Sequence, residues 1–187
     1  MKTPITEKTP LIIIDMQVGF DALFWGKRNN PNAESNVLLL LNLWRLKNRP
    51  VIHVKHCSLE EGSPLHKDSK GVEFKPEVKP LENEIVFEKS VNSAFIGTDL
   101  EVYLNNNGFE TLVIVGLTTD HCVSTTTRMA GNLGFSAILV SDATATFDKT
   151  GPNGTVYKAE EIHNIHLASL HNEFCEVSTT QSIINLN

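Results

Sequence analysis

Six apolar, β-branched runs recur along the chain: LIIID (11–15), VIHV (51–54), EIVFE (84–88), TLVIVG (111–116), SAILVS (136–141) and FCEVSTT (174–180). Runs that barely alternate between apolar and polar residues read as strands buried on both faces, the condition of a strand inside a parallel sheet. Between them lie NAESNVLLLLNLWRLKNR, GTDLEVYLNNNG, the segment opened by Cys122, and VYKAEEIHNIHLASLHNE. These read as crossover helices. The order β-α-β-β-α-β-α-β-α-β predicts an α/β fold, an open six-stranded parallel sheet with helices on both faces.

Local punctuation agrees with this frame. Thr98 with Glu101 three residues on has the form of a capping box, and Gly108 stands where a helix would stop. The stretch 57–83 holds three of the eight prolines and shows no clear period. A loop of that length in a compact domain usually covers a site. With 187 residues and no repeat, linker or low-complexity segment, the chain reads as a single domain over 1–187.

Composition excludes several classes of partner. Hydrophobic residues at 41% and charged residues at 20% describe a globular chain rather than a disordered or membrane-embedded one. The longest apolar run, VLLLLNLW, is too short for a membrane span, and the first ten residues lack the apolar middle of a signal peptide. The expectation is a cytoplasmic protein. A net charge of −6 with no cluster of Lys and Arg argues against nucleic acid as partner and leaves small neutral or cationic ligands open. Cys57, Cys122 and Cys175 form no C-x-x-C pair and are expected as reduced thiols.

In an open parallel sheet, ligands bind beyond the carboxyl ends of the strands. Asp15 ends the first run, Lys89 follows the third, and Cys122 opens the helix after the fourth. Backbone N–H groups and the positive end of a helix dipole favour thiolate over thiol, and a nearby lysine cation adds to that shift. A charged sulfur at rest is therefore expected. An Asp15 carboxylate can take the thiol proton and return it to a leaving amine, while Lys89 holds that carboxylate. Acyl transfer from a small amide or related carbonyl compound suits this trio.

LIIIDMQVGF, FEKSVNSAFIGTDL and VIVGLTTDHCVSTTTRMAGNLGF, followed by VSDATATFD, resemble the isochorismatase-like cysteine hydrolase family, in the same order and over nearly the whole chain. The resemblance implies a Rossmann-like three-layer sandwich and a catalytic triad at Asp15, Lys89 and Cys122. It also implies a cis peptide between Leu117 and Thr118, aiming the Thr118 N–H with that of Cys122 at a developing oxyanion. The assignment of Lys89 rests on the resemblance alone. Family members are commonly dimers or tetramers, so a homo-oligomer is expected.

Other candidates follow from position. Gln17, Phe20, Trp25, Phe95 and His121 are expected around a substrate pocket. His53, His56 and His66 invite a metal test. Related nicotinamidases bind a metal with an Asp and two His after the second strand, but HVKHCS places His56 at the Asp position and Ser58 at the first His, so no metal and no cofactor are expected. His163, His166 and His171 read as a solvated helix face or a subunit contact. Cys57 and Cys175 read as inert.

The leading expectation is hydrolysis of a small amide, ureide or carbamoyl compound through a thioester on Cys122. A catalytically silent binding or assembly protein is the alternative, opposed by the intact triad. The vinyl-ether-cleaving isochorismatases typically lack the cysteine, and a nicotinamidase is weakened by the broken ligand set. A dinucleotide enzyme would need G-x-G-x-x-G after the first strand, where DMQVGF stands. A phosphoacceptor domain would leave Cys122 unexplained.

Overall fold

A computed structural model describes residues 3–186. Six strands form one parallel sheet in the order β3-β2-β1-β4-β5-β8: β1 (Leu11–Ile14), β2 (Val51–His56), β3 (Ile85–Lys89), β4 (Thr111–Leu117), β5 (Ser136–Ala145) and β8 (Cys175–Ser178). Helices α1 (Ala33–Leu46), α2 (Leu100–Asn106), α3 (Ser124–Asn132), α4 (Ala159–Leu170) and α5 (Thr180–Asn185) complete the layers. A two-stranded antiparallel ribbon, β6 (Lys149–Thr150) with β7 (Val156–Tyr157), stands apart from the sheet. No helix among the described residues is long and apolar enough to cross a membrane.

The twofold alternation of a strand divides its side chains between two cores. Leu11 and Ile13 of β1, with Val113 and Val115 of β4, pack towards α1 and α5. Ile12, Ile14, Leu112 and Ile114 pack on the opposite face with Leu100 and Leu104 of α2, Ala130 of α3 and Leu170 of α4. Both faces are dry along β1, most of β2 and β4. The edge strand β3 alternates between half-buried and exposed residues and β8 is half-buried beyond Cys175, so the expectation of burial on both faces fails at the two edges. The VLLLLNLW stretch becomes the inner stripe of α1, burying Val37, Leu40, Leu41 and Trp44 at helical spacing, each worth about 1.5 to 3 kcal/mol. The Trp44 indole N–H is satisfied by the Thr9 carbonyl at 2.8 Å.

Three sequence expectations are corrected locally. The sixth run pairs only over Cys175–Ser178. Thr179 instead caps α5 by accepting from the Ser182 N–H at 3.2 Å, because a threonine oxygen at a helix start replaces a missing backbone acceptor. The capping box at Thr98 does not form. Helix α2 starts at Leu100 with Asp99 as its cap residue, and Thr98 Oγ1 accepts from the Leu100 N–H at 3.3 Å. Cys122 does not stand at the very start of its helix: Thr119–Val123 is a π-helical turn that follows Thr118 and runs into α3.

The chain winds β1, β2, β3 outward, then returns to the other side of β1 with β4. This reversal opens a crevice at the carboxyl ends of β1 and β4. Gly116 permits the close approach there: its φ is +119°, and a Cβ would lie 2.0 Å from the Ile14 carbonyl oxygen. Only glycine fits.

Candidate active site

Four neighbouring strand tips deliver the site. Lys89 is the last residue of β3, His56 the last of β2 and its register partner, and Asp15 follows β1 directly. Cys122 comes from the turn after β4. Asp15 takes φ +50° and donates its backbone N–H to the Val54 carbonyl at 2.9 Å, so the sheet itself fixes where the carboxylate begins.

The Lys89 ammonium joins the other three. Its Nζ donates to Asp15 Oδ2 at 2.6 Å, to His56 Nδ1 at 3.0 Å and to Cys122 Sγ at 3.3 Å. An ammonium has three protons, and all three are committed. Burial alone would lower the Lys89 pKa, but the Asp15 carboxylate beside it holds it above its ordinary value. Lys89 therefore stays charged. Because an ammonium cannot accept, His56 Nδ1 must, which makes His56 a neutral imidazole protonated on Nε2. Burial and then the Lys89 charge push the His56 pKa down, in agreement.

Asp15, His56 and Cys122 offer three ligand atoms within 4.8 Å of one another, a grouping able to hold a metal. Each of these three side chains accepts a hydrogen bond from Lys89 Nζ. The ammonium stands as the resident cation of this cluster, and a metal would have to displace it. The other two histidines of the metal test lie elsewhere. His53 is buried against Glu84, with Nε2 at 2.9 Å from Oε2, and His66 Nδ1 accepts from the Asp68 N–H at 3.3 Å within the loop.

The sulfur is a thiol at rest, against the expectation of a thiolate. Cys122 is 6% exposed, and burial, followed by the Asp15 carboxylate, pushes its pKa far up; Lys89 opposes this without prevailing. The S–H points to Asn92 Oδ1 at 3.7 Å. One carboxylate oxygen remains open: Asp15 Oδ2 is held by Lys89, whereas buried Oδ1 has no hydrogen-bond partner among the described residues. The other thiols do not separate from Cys122 on acidity. Burial pushes Cys57 up and Cys175 to about 12.

A cavity of about 610 Å³ opens over the sulfur, lined by Thr118 and Cys122, by Phe20, Trp25 and His121, and by His56 and Asn92. The Leu117–Thr118 peptide is cis. Phe20 and Trp25 pack with ring centroids 5.1 Å apart, and the Trp25 indole donates to the Gly19 carbonyl at 2.9 Å. Residues 58–65 of the long loop supply Ser58, Leu59, Glu60, Ser63 and Leu65 to the wall, so the loop covers the site as its length suggested.

Two expected pocket residues are not in the wall. Gln17 is fully buried and acts as a clamp, donating to the His56 and Val72 carbonyls at 2.9 Å each and accepting from the His56 N–H at 2.8 Å. It ties the tip of β2 to the loop. Phe95 lies in the core with its ring centroid 6.0 Å from that of Phe135. His163, read as surface or subunit contact, is 3% exposed, and its Nδ1 meets Thr119 Oγ1 at 2.9 Å. It braces the turn that carries Cys122. The sequence reading also passed over Asn92, although it lies in the quoted block FEKSVNSAF.

The sequence and the fold match those of known proteins. The isochorismatase domain model matches residues 9–182. The isochorismatase family protein YrdC of Bacillus subtilis (strain 168), itself uncharacterised, is 51% identical over 179 residues, covering 96% of each chain. The crystal structure of an isochorismatase-family protein from Chromobacterium violaceum ATCC 12472 superposes with a TM-score of 0.94 at 43% identity, covering 100% of this chain and 98% of that one. The ureidoacrylate amidohydrolase RutB of Acinetobacter baylyi is 31% identical over 125 residues, which is 67% of this chain and 47% of that protein. With the family model spanning the sheet and every residue of the cluster at its strand tips, this chain belongs to the isochorismatase family of hydrolases.

Proposed function

We propose that the chain hydrolyses a small C–N bonded substrate, an amide, ureide or carbamoyl compound, through a thioester on Cys122. The observation that carries this reading is the Lys89 ammonium bonded at once to Asp15 and to the Cys122 sulfur, next to a carboxylate oxygen with nothing to accept from. That arrangement suits a neutral thiol that gives up its proton only when it attacks.

As sulfur bonds to the substrate carbonyl carbon, the thiol proton passes to Asp15 and the carbonyl π electrons move to oxygen. The Lys89 charge stabilises the sulfur during transfer. The Thr118 and Cys122 N–H groups receive the oxyanion, and one such donor is worth roughly 3 kcal/mol of barrier. Collapse breaks the C–N bond, Asp15 returns the proton to the departing nitrogen, and ammonia or an amine leaves. Water then attacks the thioester as Asp15 takes one of its protons. Cleavage of the S–C bond frees the acid, and that proton returns to sulfur. Each proton removed is handed back, so Asp15 ends as it began.

The similarity to a ureidoacrylate amidohydrolase supports the C–N class over the vinyl-ether chemistry of isochorismatases proper. The test is ammonia release over a panel of small amides and ureides, with and without a chelator. Wild type is expected to turn over at least one of them, equally in both conditions. Cys122→Ala and Cys122→Ser should be inactive while folded, because an alcohol is a far weaker nucleophile at this site. Wild-type turnover by Cys122→Ala would reject the mechanism.

A further inference from the structure

The cavity wall carries very little charge, and its sign is uniform. Among the residues that line it there is no arginine and no lysine; Glu60 is the acid. His56 is neutral because its Nδ1 accepts from Lys89. His121, held down by burial, leans on Asp120 at 3.4 Å. The one cation beneath the floor, Lys89, has a fully buried side chain and no proton left to offer. Hydroxyls of Ser58, Ser63 and Ser90 and the amide of Asn92 supply neutral hydrogen bonding, and the Phe20 and Trp25 rings supply flat apolar wall.

We propose that Glu60 makes this a pocket for neutral or cationic amides and ureides, and that substrates bearing a carboxylate are turned away. This rests on the reading of Cys122 as the acylated nucleophile, since it concerns what reaches that sulfur. A carboxylate entering the cavity meets a like charge in the wall and no side-chain cation among the lining residues, so its lost hydration goes uncompensated. An ammonium meets a carboxylate and an indole ring able to attract a cation, both in the same wall. The position of Glu60 is built into the loop. Its N–H donates to Ser58 Oγ at 3.1 Å, and its carbonyl accepts from the Ser63 N–H at 3.2 Å, closing a turn between two wall residues. Burial and Lys89 lower the His56 pKa, and the Glu60 carboxylate pulls weakly the other way.

Charged thiol reagents test this without any substrate. The intact protein is treated with the trimethylammonium-ethyl and the sulfonatoethyl methanethiosulfonates, in which the sulfur attacks the S–S bond and releases methanesulfinate. Modification of Cys122 is followed by site-resolved mass spectrometry, and each rate is divided by that of the same reagent with 2-mercaptoethanol. The normalised preference for the cation should be at least about 10-fold and should shrink at high salt. Glu60→Gln should bring it close to unity, and Glu60→Lys should invert it. A wild-type ratio of one or below, or a ratio unmoved by both substitutions, overturns the proposal. The labelling reads charge and not turnover, so that failure leaves the hydrolase reading standing. Full activity in Cys122→Ala would sink the hydrolase reading without altering the labelling ratio.

Discussion

Lys89 Nζ lies 2.6 Å from Asp15 Oδ2, and neither side chain has any surface exposed to solvent. Removing one partner of such a pair strands the other charge where water cannot reach it. Lys89→Met should therefore cost about 3 to 5 kcal/mol of stability, read as a lowered midpoint in urea denaturation. A midpoint within experimental error of wild type would show that the carboxylate is not held as described.

Asp15 raises the thiol pKa and, in the proposed mechanism, carries its proton, and one substitution separates these roles. Asp15→Asn removes the negative charge that opposes ionisation while leaving Lys89 beside the sulfur. Cys122 should then be alkylated by iodoacetamide faster than in wild type at neutral pH, although ammonia release falls by about 100- to 10,000-fold. If labelling and turnover fell together, the thiol would depend on Asp15 for its reactivity at rest.

His163 is buried 2.9 Å from the Thr119 hydroxyl, one residue beyond the proposed oxyanion donor. His163→Ala should lower kcat by about 10- to 100-fold with little change in KM, since the turn loses its aim but the wall is intact. His163→Gln, which keeps a polar partner for the hydroxyl, should recover part of the loss. Equal rises in KM would point instead to a damaged pocket.

Two carboxyls away from the site govern acid stability. Burial alone would raise Glu34 and Glu84, but Arg28 beside the first and Arg45 beside the second bring both down from 4.5 to about 2. A carboxyl that titrates lower when folded contributes stability that is full above its unfolded value and drains away as pH falls. The protein should lose stability progressively from about pH 4.5 towards pH 2. Glu84→Gln should remove about 1 kcal/mol at neutral pH, allowing for solvent screening, and flatten this acid limb in thermal melts followed by circular dichroism.

The sheet was legible because burial on both faces writes itself as uninterrupted apolar runs, and β1, β2, β4 and β5 fall within a residue or two of theirs apart from the extension of β5 to Ala145. The sixth run misled at its end, where Thr179 and Thr180 are β-branched but serve as helix cap and first turn. Asp15 and Cys122 stood out by type and position. His56 was singled out only for a metal test, and Asn92 and His163 not as site residues, because what each does comes from neighbours far along the chain: Lys89, Cys122 and Thr119. Gln17, two residues past Asp15, was read as wall, yet it is fully buried and spends both amide protons and one oxygen lone pair on backbone groups, so it faces the loop and not a ligand. The charge state of the sulfur was misread for a related reason. A helix start speaks for a thiolate, but the depth of the atom and the adjacent carboxylate are tertiary facts.

The division of labour between scaffold and loop has an evolutionary consequence. The clustered Asp15, His56, Lys89 and Cys122 hang from four strand tips that cannot shift without disturbing the whole sheet, whereas residues 58–65 of a single surface excursion furnish much of what an arriving molecule meets. Rewriting those few codons would give a descendant a new diet while its ancestral chemistry passed on unedited.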